Sequence, residues 1–180
     1  SQSEFEIRIR PLPVNEKTEP YLTTDGSGVN ETGTDRAVFL IAPNVGEALK
    51  PLANIASGGE LSRVVLALKA ILALTESVET VIFDEVDAGI GGSTAEVVGR
   101  KLASLSDYHQ VICITHLPQI ARFGDHHFRI SKQVSDGRTR TTIDPLKEKD
   151  RVQEIARMLG GMKMTQVTLD HALEMLQNRN

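Results

Sequence analysis

Four residues do most to limit the fold: Thr80-Val81-Ile82-Phe83 is a continuous apolar run that ends abruptly in Asp84-Glu85. A short β-branched and aromatic run without polar alternation predicts a strand buried on both faces of a parallel sheet. A second such run, Gln110-Val111-Ile112-Cys113-Ile114-Thr115, follows a segment over 93–105 in which Val98, Leu102 and Leu105 recur at helical spacing. Strand, helix, strand at these lengths implies a right-handed crossover and an α/β fold. Upstream, the stripe Leu61, Val64, Val65, Leu68 and Leu72 predicts a longer helix over 60–74.

Antiparallel structure is expected on either side. Phe5, Ile7 and Ile9 alternate with Glu6, Arg8 and Arg10, the period of a half-buried strand. Ala37-Val38-Phe39-Leu40-Ile41 predicts its neighbour, and the Gly-, Thr-, Asn- and Asp-rich residues 23–35 a loose loop between them. Residues 127–132 and 139–143 flank Ser135-Asp136-Gly137, which predicts a hairpin at a sheet edge. Two helices should close the chain, one carrying Val152, Ile155, Ala156 and Leu159 and stopped by Gly160-Gly161, the other carrying Leu169, Leu173 and Leu176. The expectation is one domain over 1–180: N-terminal strands and loop in 1–42, a centre in 56–123, the hairpin in 126–145 and C-terminal helices in 148–180.

Composition narrows the function classes. With 40% hydrophobic and 24% charged residues the chain has the makings of a packed core. No apolar run approaches the roughly 20 residues of a spanning helix, so no membrane partner is expected. A net charge of -4 argues against a wholesale electrostatic grip on nucleic acid. Any DNA contact must be local or lie elsewhere. The single cysteine, Cys113, sits in an apolar run as a small hydrophobe, which suits a reducing cytoplasm. The start, Ser1-Gln2-Ser3-Glu4, has neither an initiator Met nor a signal pattern and reads as the edge of a fragment.

Three places could carry chemistry. Ser57-Gly58-Gly59-Glu60 opens the 60–74 helix, where unpaired backbone donors and the positive dipole end suit an anion. The same residues also read as a capping box between Ser57 and Glu60. Asp84 and Glu85 end a strand where ligand sites of open α/β sheets gather, and could hold Mg²⁺ and orient an attacking water, or simply solvate the strand end. Asp87 and Gly89-Ile90-Gly91-Gly92 follow. His116 ends the second strand and could hydrogen-bond a phosphate oxygen or the water. His126 and His127 read as a strand entry, and His109 and His171 as exposed positions. The basic residues Arg129, Lys132, Arg138 and Arg140 read as a solvated hairpin face, given the acids nearby and the lack of interleaved aromatics. A self-contained nucleotide site needs Gly-x-x-x-x-Gly-Lys, and no Gly-Lys pair occurs; Gly28 to Thr34 imitates it without the Lys.

Taken in order, Ala56-Ser57-Gly58-Gly59-Glu60-Leu61-Ser62-Arg63, Thr80 to Glu85, Asp87 and Thr115-His116 resemble ABC ATPases from signature motif to switch histidine. The strings Pro51 to Glu60, Phe83 to Gly92, Thr115-His116-Leu117-Pro118-Gln119 and Ala156 to Gly161 are similar to the SMC-like RecN family. The likeness runs from about residue 36 to the end. It implies the C-terminal half of a P-loop NTPase head, with buried, mainly parallel strands flanked by helices and antiparallel edge strands. It further implies ATP and Mg²⁺ as cofactors, Asp84 as the Mg²⁺ carboxylate, Glu85 as the residue that positions the water, and His116 at the γ-phosphate. Ser57, Gly58, Gly59 and Glu60 would serve ATP held by a second head, and Asp87 would cross between heads. The implied partners are an N-terminal Walker A lobe of the same protein, a second head in an ATP-dependent dimer, and DNA through the complete protein. The implied setting is recombinational repair of double-strand breaks in the cytoplasm, at the nucleoid; this lobe alone should turn over no ATP. Two other readings stay open: a nonenzymatic scaffold with relic motifs, and a Mg²⁺-dependent nuclease using Asp84, Glu85 and Asp87.

Overall fold

The computed structural model describes residues 3–15, 18–54, 57–73, 78–135, 138–161 and 164–178. Its contacts divide the chain into two compact units, Ser1–Ser57 and Gly58–Asn180.

In the first unit, β1 (Glu4–Pro11) pairs antiparallel with β4 (Asp35–Ala42) from Glu4↔Ala42 to Pro11↔Asp35, and β5 (Lys50–Pro51) adds to the far side of β4. Phe5 stacks on Phe39 with ring centroids 6.0 Å apart. The segment predicted as a loose loop holds a small hairpin, β2 (Thr23–Thr24) with β3 (Ser27–Gly28). Its two-residue turn is Asp25-Gly26, both at positive φ (48° and 78°), as a type I′ turn requires.

The second unit is built on β6 (Thr80–Phe83) and β7 (Gln110–Cys113), which pair in parallel with Phe83 opposite Cys113. The helix α2 (Gly92–Leu105) connects them and turns Val98, Leu102 and Leu105 inward, as its spacing predicts. Helix α1 (Gly58–Leu72) precedes β6. Leu66 and Ala73 from the α1 segment join Val81, Phe83, Val86 and the inner residues of α2 in one core cluster. Gly99 of α2 leaves room for Phe123, whose ring a Cβ would meet at 2.5 Å.

Two expectations fail here, for one reason. β6 is buried on one face only: Val81 and Phe83 are covered, while Ile82 is 64% exposed and Ile112 and Ile114 on β7 and just beyond it are also exposed. Likewise the predicted stripe of α1 is not its core face. Gly59, Leu66 and Ala73, spaced by seven, are buried, whereas Leu61, Val65 and Leu72 are exposed and Val64 and Leu68 half-buried. The described helices cover a single side of the sheet, so apolar side chains coded for a second side meet solvent.

Beyond β7 comes the short helix α3 (Pro118–Ala121), then β8 (Phe128–Ser135) and β9 (Arg138–Pro145), paired from Phe128↔Pro145 to Ser135↔Arg138. They form their own two-stranded sheet and join no other among the described residues; the predicted turn residues Asp136 and Gly137 lie outside those residues. Helices α4 (Glu148–Gly160) and α5 (Gln166–Gln177) pack through Ile155, Ala156, Ala172 and Met175. Leu173, predicted on the inner side of α5, is exposed because Ala172 and Met175 take that side. Gly161, at φ 66°, ends α4 where the glycine pair predicts a stop. Buried Arg151 of α4 donates to the backbone carbonyls of Ala121 (3.3 Å), Arg122 (3.1 Å), Asp125 (3.3 Å) and Gly124, fastening α4 to the end of α3. Among the described residues no helix is long and apolar enough to cross a membrane.

Candidate functional site

The start of α1 lies against the loop that leaves β6. A Cβ on Gly58 would stand 2.5 Å from the Glu85 carboxylate, and one on Gly59 would stand 2.7 Å from the Ala88 side chain and 2.9 Å from the Glu85 carbonyl. At Gly59 any side chain would wedge helix and loop apart, whereas at Gly58 it would meet only the end of the Glu85 side chain. Ser57, exposed, is the residue before the helix, and Glu60 is in its first turn. Glu85 has φ 57°, one of two described non-glycine residues in the left-handed region. That backbone costs on the order of 1–3 kcal/mol and turns the chain sharply just after the strand. Asp84 and Glu85 are left exposed at the strand end, while Val86 is fully buried.

Asp87, next in the loop, is only 4% exposed. Its Oδ2 accepts from the Thr115 hydroxyl at 2.6 Å and the His116 backbone N–H at 2.9 Å, and faces His116 Nδ1 at 2.9 Å. Burial alone pushes the Asp87 carboxyl up; the Thr115 hydroxyl, the His116 amide and the imidazole outweigh it and hold the carboxyl below its ordinary value of 3.8. An ionised carboxylate only accepts, so Nδ1 of the neutral ring carries the proton and Nε2 is left as an acceptor. The His116 side chain is 73% exposed, with its free edge toward solvent. The parallel pairing of β6 and β7 brings these groups together, continued past the strands by the bond from Ile114 N–H to Phe83 O at 2.9 Å.

The sequence singles out Ser57, Gly58, Gly59, Glu60, Asp84, Glu85, Asp87 and His116. The structure brings Gly58 and Gly59 to Glu85, and Asp87 to His116. It turns the Asp87 carboxylate inward, bonded to Thr115 and His116. Thr115 was legible only as a neighbour of His116, because its role depends on the strand register. Ser62 and Arg63 also escape sequence reasoning: Ser62 Oγ donates to the Asp84 carbonyl at 2.8 Å, and Arg63 donates to the carbonyls of Val86 (3.2 Å) and Ala88 (2.8 Å).

Of the other histidines, His109 departs from its predicted exposure: it is buried, with Nδ1 2.6 Å from the Val78 carbonyl. His126 and His127 precede β8, and no group of three or more His, Cys, Asp or Glu among the described residues could hold a metal by itself. Burial pushes the Cys113 thiol up to about 12, helped by Asp87 and Asp84.

No family model matches the chain. It is 43% identical to DNA repair protein RecN of Bacillus subtilis over 98% of its length and 31% of that protein. It is 46% identical to RecN of Haemophilus influenzae over 86% of this chain and 28% of the relative, and 50% identical to RecN of Treponema pallidum over 81% and 25%. The chain therefore spans between a quarter and a third of the length of these relatives. Among solved structures, the Smc head domain with a coiled coil and joint from Pyrococcus yayanosii is similar with a TM-score of 0.55 at 19% identity, over 88% of this chain and 26% of that one. The Smc head domain from Pyrococcus furiosus, bound to the C-terminal domain of ScpA, gives 0.50 at 20% identity over 85% and 34%. The chain has the α/β fold of the part of these Smc head domains that it covers.

Proposed function

Because the chain is related to DNA repair protein RecN over nearly its whole length, we propose that it is the C-terminal lobe of an SMC-like ATPase head that acts in recombinational repair of DNA double-strand breaks. ATP would be held between two heads and hydrolysed with Mg²⁺. One observation carries the reading: a phosphate-compatible helix start, an acid pair and a histidine, scattered from Gly58 to His116, meet along the C-terminal rim of two adjacent parallel strands.

The residues divide the labour as follows. Ser57, Gly58 and Gly59 present backbone N–H groups and the positive end of α1 to the γ-phosphate of ATP on a second head, with Glu60 in the first turn beside them. Mg²⁺ typically takes one or two carboxylates and completes its shell with phosphates and waters, which fits an exposed Asp84 at the strand end. When bound, the ion would neutralise charge on the phosphates. Glu85 orients the attacking water. His116, with Nε2 as acceptor, takes a hydrogen bond from that water, and Asp87 keeps the ring in this tautomer. A crossing of Asp87 to a second head would first require release of its contacts to Thr115 and His116.

Cover for the bare apolar surfaces supports the same architecture. A helix apolar on two sides and a sheet apolar on both faces belong in an interior. The missing layer is assigned to a Walker A lobe of the same protein, which would also supply the phosphate loop this sequence lacks. DNA would be engaged through the complete protein, in the cytoplasm at the nucleoid.

The test compares three samples. This chain alone is expected to show no ATP turnover, the chain joined to a Walker A lobe should hydrolyse ATP, and Glu85→Gln in the joined form should slow turnover by a factor of about a thousand while ATP-driven head pairing persists. Ser57→Arg should abolish pairing. Turnover by the isolated chain, or undiminished turnover by Glu85→Gln, would overturn the proposal. Cleavage of DNA with Mg²⁺ and no nucleotide would favour a nuclease, and binding of partners untouched by Ser57→Arg would favour a scaffold.

A further inference from the structure

The loop from Asp84 to Ala88 offers a complete account of its backbone carbonyls. Glu85 O accepts from Ala88 N–H at 3.0 Å and Asp87 O from Ile90 N–H at 3.3 Å, so the loop satisfies two of its own. The other three are taken by side chains of α1: Asp84 O by Ser62, and Val86 O and Ala88 O by Arg63. Arg63 thus grips the carbonyls on both sides of Asp87 with one guanidinium nitrogen. Gly59, one helical turn earlier on the same face of α1, has no Cβ and lets the loop come close enough for that grip. On its far side Asp87 is held by Thr115 and His116.

From this geometry we infer that Arg63 is a positioning residue for His116: by fixing the peptide units that flank Asp87, it aims the Asp87 carboxylate at Thr115 and His116 and thereby sets the tautomer and direction of the imidazole. The inference rests on the assignment of His116 in the proposed function, but its structural half can be read without any nucleotide. It makes the start of α1 and the histidine parts of one braced unit, connected as helix, Arg63, loop, Asp87 and imidazole. Lysine is a poor substitute, since an ammonium on a flexible stem is less well preorganised to hold two carbonyls at once.

The experiment is ¹⁵N NMR of the His116 ring in this chain, with Asp87→Ala as the reference for a ring without its carboxylate. The wild-type chain should give the Nδ1–H form. A folded Arg63→Met chain should move toward the Asp87→Ala spectrum, and Arg63→Lys should fall between. In the protein joined to its Walker A lobe, Arg63→Met should lower kcat by about ten- to a hundredfold, the scale of a small misplacement of a reacting group, with KM changed less than about threefold. A wild-type His116 spectrum in folded Arg63→Met overturns the inference; if that variant does not fold, a wild-type spectrum in Arg63→Lys does so. Absence of ATP turnover in the unmutated joined protein would sink the proposed function, while the NMR comparison would still decide the role of Arg63 in holding the ring.

Discussion

The two glycines at the start of α1 should respond oppositely to alanine. At Gly59 a Cβ would lie 2.7 Å from the Ala88 side chain, 2.9 Å from the Glu85 carbonyl and 3.1 Å from the Ala88 carbonyl. Carbon atoms in good contact are about 3.5–4.0 Å apart, so the helix or the loop must shift by roughly an ångström. Overpacking of that kind costs about 1–3 kcal/mol, and the helix preference of alanine over glycine returns up to about 1 kcal/mol. Gly59→Ala should therefore lower stability by about 1–2 kcal/mol, seen as a lower urea midpoint of the chain at unchanged slope. At Gly58 the Cβ would meet only the end of the Glu85 side chain, Oε2 at 2.5 Å, which can rotate away. Gly58→Ala should leave the urea midpoint unchanged or slightly raised, yet reduce single-turnover ATP hydrolysis of the joined protein by about tenfold or more as the carboxylate is pushed from its place. A Gly59→Ala chain with the wild-type midpoint would refute the close packing of helix and loop. Equal destabilisation by both variants would show that Glu85 is pinned and that this division between fold and chemistry is wrong.

Asp87, with its carboxyl held below the ordinary value of 3.8, stabilises the fold above that value and loses the contribution as pH falls through its lower folded value. The gap in melting temperature between the wild-type chain and Asp87→Asn should be full near neutrality and shrink in strong acid; a constant gap would remove the charge from the explanation. Cys113, pushed up to about 12, should react with iodoacetamide at pH 8 on the order of a thousandfold more slowly in the folded chain than in urea, and equal rates would contradict its burial. Ile82→Lys, at a position 64% exposed, should change the stability of the chain by no more than about 0.5 kcal/mol but prevent co-elution with a Walker A lobe; undisturbed co-elution would place that lobe elsewhere.

The elements were legible wherever a local pattern decides them. Alternation located β1, apolar runs located β6 and β7, and helical spacing located α2 together with its inner residues. The Asp25-Gly26 turn is equally local, but its short strands Thr23–Thr24 and Ser27–Gly28 carry no apolar alternation to set them apart from a polar loop. What could not be read locally depends on register. Thr115 and Arg63 matter because β7 lies beside β6 and α1 lies against the loop, and neither the Asp87–Thr115 contact nor the Arg63 grip leaves a periodic trace. The burial of His109 has the same origin, since only the fold brings the Val78 carbonyl to its ring.

The exposed apolar faces of α1 and β6 have another origin, because their sequence pattern codes for burial that the described residues do not supply. Leu61, Val65 and Leu72 repeat on a side of α1 away from Leu66, and Ile82 and Ile112 on the face of the sheet away from Phe83. Fully burying such a side chain is worth about 1.5–3 kcal/mol, and these five are between 36% and 64% exposed, so together they forgo several kcal/mol, a large part of the stability of an ordinary domain. Another layer laid over these side chains in the proposed complete head would recover that loss. The apolar code of α1 and β6 therefore describes the proposed complete head, and the helix whose start is proposed to face phosphate carries along its outer side the surface by which that head would be completed.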